Sequence, residues 1–267
     1  MNPLIEVAEL NDSLGDVSLF DIRWALTDPN HGRSTYEAAH IPGAVFVDLD
    51  DDLAAPPGLD GRHPLPDLET WAATLGQLGV STQSDVVVYD DAGGTIAARM
   101  WWMLDSIGHK KARLLNGGFD AWIAAGLEVE TGPRSPDPAQ YPTPAGFSGV
   151  VGHQELEDRL IVDVRAVPRY RGEHEPVDPK PGHIPGAINK PVTDNLDDAK
   201  RFIDQARLVA AYSDLEEKPV VSCGSGVNAC HTALAMRLAG LDMPDVYVGS
   251  YSEWSTLDLP VVTGSAP

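Results

Sequence analysis

Four short motifs occur twice along this chain of 267 residues, in the same order. "LFDIRW" at 19–24 returns as "IVDVRA" at 161–166, and "HIPGAVF" at 40–46 as "HIPGAIN" at 183–189. "VVVYDDAGG" at 86–94 returns as "VVSCGSG" at 220–226, and "NGGFDAW" at 116–122 as "VGSYSEW" at 248–254. Repetition at this scale marks a duplicated structural unit, which restricts the fold more than composition does. The longer spacing in the first copy places an insertion around "DDDLAAPPGLDGRHPLP", 50–66. Between the copies, "TGPRSPDPAQYPTPAGFSG" carries five prolines and no periodicity. Proline fixes φ and removes a donor, so this reads as an extended, semi-rigid linker. The expected organisation is a domain over 10–130, a linker over 131–151 and a domain over 152–264.

Each copy alternates strand and helix signals. The runs "SLFDI", "DVVVYD", "LIVDVR" and "KPVVSC" have the apolar continuity of parallel strands buried on both faces. "DLETWAATLGQLG" and "DDAKRFIDQARLVAAYSD" space their apolar residues as helices do. The fold class is therefore α/β, each domain a mainly parallel sheet flanked by helices. A hydrophobic content of 43% suits a packed core. The net charge of −21 repels nucleic acid and anionic lipid, so neither is an expected partner. It also means that an anionic substrate needs a local cluster of cations. No apolar run is long enough for a membrane helix, and the acidic N-terminal stretch lacks the pattern of a signal peptide. Two cysteines cannot form a disulfide framework, so a reducing, cytoplasmic location is expected.

One of those cysteines, Cys223, ends an apolar run and is followed by Gly224, Ser225, Gly226, Val227 and Asn228. In parallel sheets, ligands bind beyond the carboxyl ends of the strands. Glycines allow successive N–H groups to converge on one spot, and a helix starting near Val227 adds its unpaired N–H groups. Both effects hold an anion beside the sulfur and mark Cys223 as a nucleophile rather than an inert core cysteine. Cys230 reads as a small apolar helix residue. The spacing of Cys223, Cys230 and His231 is not that of a zinc site. Tyrosine phosphatases use a comparable loop but end it with an arginine that clamps phosphate. The sixth residue after Cys223 is Ala229, which argues against phosphate chemistry.

With these motifs the chain resembles the two-domain sulfurtransferases, the family of rhodanese and 3-mercaptopyruvate sulfurtransferase. "YEAAHIPGAVFV", 36–47, fits the first family signature, and "VYVGSYSEW", 246–254, fits the second approximately. The resemblance implies two tandem rhodanese-like domains and sulfur transfer through a persulfide on Cys223. The first domain is then non-catalytic, because a carboxylate stands where the cysteine belongs. Counting back from Trp122 without a gap selects Asp91. "CGSGV" implies a mercaptopyruvate donor, with thiosulfate:cyanide sulfurtransferase as the alternative. Ser225 is implied as a proton relay with a histidine and an aspartate. His40 matches the histidine, and Asp28 lies one residue from the aspartate position. Gly224, Gly226, Val227 and Asn228 are expected to line the donor site, with Arg169 and Arg171 binding its anionic end. The second arginine of the family falls near Asp178, and Lys180 is the cation next to it. A thiol, cyanide or thioredoxin-like acceptor is expected, and no metal or organic cofactor. A non-catalytic persulfide carrier or redox sensor is the reading from another class.

Overall fold

A computed structural model describes residues 2–267. The chain forms two compact units, neither continuous in sequence. The first takes residues up to Ala55, Pro66–Ser148 and Asp198–Phe202, and the second takes Pro56–Leu65, Gly149–Asp197 and Ile203–Pro267.

In the first unit, strands β1 (Leu4–Ile5), β2 (Ser18–Asp21), β3 (Val45–Phe46), β4 (Val86–Tyr89) and β5 (Ala112–Leu115) form one sheet. Its order is β1-β5-β4-β2-β3, and every pairing is parallel. Helices α1 (Val7–Ser13), α2 (His31–Ala38), α3 (Leu68–Gln77), α4 (Ala98–Ser106) and α5 (Gly118–Ala124) accompany it. All four residues of β4 are buried, as expected of a strand covered on both faces. The proline-rich stretch has no regular structure and lies along this unit, where Ala139 N–H donates to Gly76 O at 2.8 Å. That crossing explains a glycine inside α3: a Cβ on Gly76 would lie 2.8 Å from Ala139 O.

The second unit repeats the pattern. Strands β6 (Val150–Val151), β7 (Ile161–Asp163), β8 (Ile188–Asn189), β9 (Val220–Ser222) and β10 (Asp245–Tyr247) form a sheet of order β6-β10-β9-β7-β8. This is the order of the first sheet, again all parallel. Its α-helices are α6 (Val167–Tyr170), α7 (Gln205–Tyr212), α8 (Asn228–Leu238) and α9 (Ser250–Trp254). The duplication extends to buried ion pairs at the ends of β2 and β7. Asp21 holds Arg23 and Asp163 holds Arg165, each at 2.6 Å. The arginines reach the carbonyls of Ala39 and Gly182 respectively. Both α/β units therefore have the expected class.

One expected element is shorter. The helical pattern over 197–214 becomes a helix only from Gln205, where the Asp204 side chain caps Arg207 N–H. Asp198–Phe202 joins the first unit instead. Lys200 bonds the Asp91 carbonyl and Asp120, Arg201 pairs with Glu6, and Phe202 N–H donates to Asn116. Tertiary hydrogen bonds here override a local helical preference.

Candidate active site

Cys223 follows the last residue of β9, the middle strand of its sheet. Its side chain is buried, and Gly226 N–H donates to Sγ at 3.1 Å. The loop is tied down by the next crossover. Tyr251 N–H donates to Cys223 O at 3.1 Å and Ser252 N–H to Gly224 O at 2.8 Å. In a planar trans peptide the N–H points opposite to the C=O. Anchoring those two carbonyls on α9 therefore turns the N–H groups of Gly224 and Ser225 away from it. Gly226 has φ +76°, and a Cβ there would lie 2.3 Å from Val248 O, so only glycine fits. Ser250, a non-glycine residue at φ +51°, accepts from Cys223 N–H at 3.1 Å and donates to Tyr247 O at 2.7 Å. Val227 is buried at the cap of α8, Asn228 is its first residue, and Cys230 donates its S–H to Gly226 O.

The first unit shows what such a loop holds. Register corrects the expectation that Asp91 replaces the cysteine. Asp21 pairs with Tyr89 across β2–β4, and Asp163 pairs with Ser222 across β7–β9. Asp21 and Asp163 are equivalent, so the residue matching Cys223 is Asp90. The two copies differ by one residue between strand end and tryptophan, which ungapped counting cannot detect. The Asp90 carboxylate is fully buried and accepts four backbone N–H bonds, from Ala92, Gly94, Ile96 and Ala97, at 2.7–2.8 Å. Asp91 pairs with His31 instead.

The inserted segment of the first copy supplies two site residues that sequence reasoning missed. Pro56–Leu65 belongs to the second unit. A Cβ on Gly61, at φ +105°, would lie 2.8 Å from both Gly249 O and Ser252 Oγ, and Arg62 N–H donates to that Oγ at 3.1 Å. This docking brings His63 Nδ1 to 2.7 Å from Ser225 Oγ, with both residues buried. It also pairs Arg62 with Asp178. Their signal in the sequence was one Arg-His pair inside a stretch with the composition of a loop.

His63 thus displaces His40 as the partner of Ser225. His40 is buried in the first unit, stacked on Tyr36 at 4.1 Å between ring centroids, with Nδ1 2.8 Å from Tyr36 O. Its counterpart His183 does the same with Tyr170, at 3.8 and 2.8 Å. A contact repeated in both copies pins the turn and is not specific to the cysteine-bearing one. Asp28 accepts from Asn30 N–H within its own turn.

Arg169 lies beside the Cys223 loop, where a Cβ on Gly224 would be 3.4 Å from its Nη1. Its Nη2 binds Asp178 at 2.9 Å and Glu175 at 2.8 Å, and Arg165 reaches Glu175 at 3.4 Å. Burial opposes ionisation of Glu175, but the bond from Arg169 and the N–H groups of Asp178 and Val177 outweigh it. Its pKa is held below the usual carboxylate range. Arg171 does not join this cluster. It is exposed, pairs with Glu173 and lines a separate cavity of about 570 Å³ with Tyr170 and Asn189. Lys180 bonds Leu257 O instead. Among the described residues no group of three or more His, Cys, Asp or Glu is placed to hold a metal ion, and no helix is long and apolar enough to cross a membrane.

These features define a doubled parallel α/β protein in which one strand-end loop presents a cysteine and its twin is filled by a carboxylate. The family follows from comparison: the rhodanese-like domain model matches residues 6–125 and 151–257, and the chain belongs to that family. It is 43% identical over 264 residues to a protein of Pseudomonas aeruginosa named probable 3-mercaptopyruvate sulfurtransferase, covering 93% of each chain. It is 34% identical over 253 residues to the thiosulfate sulfurtransferase of Mus musculus, covering 88% of this chain and 84% of that one. The 3-mercaptopyruvate sulfurtransferase structure from Leishmania major superposes with a TM-score of 0.87 at 32% identity, covering 96% of this chain and 74% of that one.

Proposed function

We propose that the chain is a sulfurtransferase that takes sulfane sulfur from a small anionic donor, 3-mercaptopyruvate in preference to thiosulfate, onto Cys223. The Cys223 thiolate attacks the donor sulfur. An S–S bond forms, the donor C–S bond breaks with its electron pair on carbon, and the enolate of pyruvate leaves. Ser225, in contact with His63, relays a proton to that carbon. Cys223 is then a persulfide, held by the loop N–H groups. A thiolate, cyanide or thioredoxin-like acceptor attacks the outer sulfur and regenerates the thiolate. Arg169 binds the donor carboxylate. With both cysteines as free thiols, the reaction suits the reducing cytoplasm.

The observation that carries this reading is the Ser225–His63 contact beside a cysteine whose loop donates an N–H to its sulfur. Thiosulfate leaves as sulfite and needs no proton on carbon, so a buried proton relay has no use in its cleavage. The guanidinium groups flanking Gly224 suit either anion, so the proton relay and not the charge distinguishes the two donors. Two measurements test the proposal. Intact mass after donor treatment should rise by about 32 Da, one sulfur atom, on wild type and not on Cys223→Ser. Persulfide on Cys223→Ser would show that the wrong nucleophile was chosen. Steady-state kinetics should give mercaptopyruvate at least a roughly tenfold advantage in kcat/KM over thiosulfate. Equal efficiency would overturn the donor assignment and leave the nucleophile in place.

A further inference from the structure

Two guanidinium groups converge on one point beside the catalytic loop. A Cβ on Gly224 would lie 3.1 Å from Arg62 Nη2 and 3.4 Å from Arg169 Nη1. These are different nitrogens from those used within the protein. Arg62 binds Asp178 Oδ1 through Nη1, and Arg169 binds Glu175 and Asp178 through Nε and Nη2. Asp178, buried to 1% exposure, holds one arginine on each carboxylate oxygen. Arg62 Nε is also buried and bonds nothing. Asp178 and Glu175 balance the two cations and fix their orientation, which leaves Arg62 Nη2 and Arg169 Nη1 as donors turned toward Gly224 for an incoming anion. The chain carries a net charge of −21 and still places both against the residue that follows the nucleophile.

We propose that Arg62 is a substrate-binding residue: with Arg169 it forms a two-guanidinium seat for the carboxylate of the sulfur donor. This rests on the proposed donor chemistry and extends it to a residue from the other copy's insertion. It also gives Asp178 a role. The resemblance implied an arginine near position 178, and the chain has an aspartate there. The missing cation arrives from position 62, and the aspartate fixes its direction. Gly224 is the clearance that lets both guanidinium groups approach, and docking of Gly61 on Gly249 and Ser252 sets the reach of Arg62.

The test separates charge recognition from turnover by alkylating Cys223 with iodoacetate and with iodoacetamide. The two reagents share an electrophilic carbon, and only the first carries a carboxylate. Arg62→Ala should slow iodoacetate by about tenfold or more, as expected for loss of a charge-assisted contact, and leave iodoacetamide within about twofold. KM for mercaptopyruvate should rise by a similar factor. Arg62→Lys keeps a cation paired with Asp178, so it should retain most of the iodoacetate rate that Arg62→Ala loses. An unchanged iodoacetate-to-iodoacetamide ratio in Arg62→Ala overturns the proposal, as does an equal loss with both reagents, which would mean a structural role. Failure of iodoacetamide to modify Cys223 in wild type would instead overturn the nucleophile assignment.

Discussion

The two glycines of the Cys223 loop should respond to the same substitution in opposite ways. At Gly226, alanine meets two penalties. The backbone is left-handed at φ +76°, which costs a non-glycine residue about 1–2 kcal/mol. The new Cβ would sit 2.3 Å from Val248 O and 3.0 Å from Val248 Cα, and backbone cannot swing aside as a side chain can. Overpacking of this kind costs about 1–3 kcal/mol. Gly226→Ala should therefore lose about 2–5 kcal/mol of stability, or relieve the strain by distorting the loop and breaking the N–H bond to Cys223 Sγ. At Gly224 the φ is ordinary, and the atoms in the way are the tips of Arg62 and Arg169. Gly224→Ala should be within about 1 kcal/mol of wild type, since the lower entropy of the unfolded chain offsets the crowding. Its defect should be in binding, as a rise in KM for anionic donors when the guanidinium groups are pushed apart. Urea unfolding of both variants, with kinetics on mercaptopyruvate, checks this. Equal destabilisation by the two substitutions, or a normal KM in Gly224→Ala, would refute the reasoning.

Two further predictions follow from the histidines and from Glu175. His63→Ala should lower kcat with mercaptopyruvate by about 10²–10⁴-fold while sparing thiosulfate, which needs no carbon protonation. His40→Ala should leave kcat unchanged and cost about 1–3 kcal/mol of stability, from the lost Tyr36 stack and hydrogen bond; kinetics and urea unfolding of both variants distinguish these outcomes. Glu175 has a folded pKa below its ordinary 4.5, so on acidification the unfolded chain takes up the proton first. Its contribution to stability is complete above about pH 4.5 and is lost as pH falls through the folded value. Urea midpoints against pH should show wild type above Glu175→Gln at pH 7 and the two converging on acidification; a gap independent of pH would contradict the assignment.

The duplicated motifs were legible because each encodes a contact made in both copies. The "D-x-R" echo is the buried pair at the end of β2 and β7, and the "HIPGA" echo is a histidine stacked on a tyrosine. The Cys223 loop was legible because a cysteine, two glycines and a helix start stand within six residues. The other half of the site was not legible, for a physical reason. Arg62 and His63 reach Gly224 and Ser225 of the Cys223 loop through tertiary docking of an irregular segment, and the docking depends on close contact at Gly61, which periodicity cannot encode. His40 drew attention because it is a polar residue in a matched signature. The repeat already held the answer, since His183 stands in the same motif and makes the same contact.

The paired loops also show how one scaffold divides its work. In the first unit the strand-end residue brings its own anion: the Asp90 carboxylate takes four N–H bonds, so little of the cradle is left for a ligand. On the proposed mechanism a carboxylate in place of the thiolate gives that copy no stable carrier for the sulfur. In the second unit a cysteine takes one N–H bond at Sγ, from Gly226. The carbonyls of Cys223 and Gly224 are anchored to α9, so the N–H groups of Gly224 and Ser225 are directed away from that helix. A persulfide places its charge one atom beyond Sγ, so donors have to remain beyond Sγ for the intermediate to be held. On the proposed mechanism, Cys in place of Asp leaves the anion site open for a second sulfur, and the insertion that carries Arg62 and His63 belongs to the unit with the cysteine.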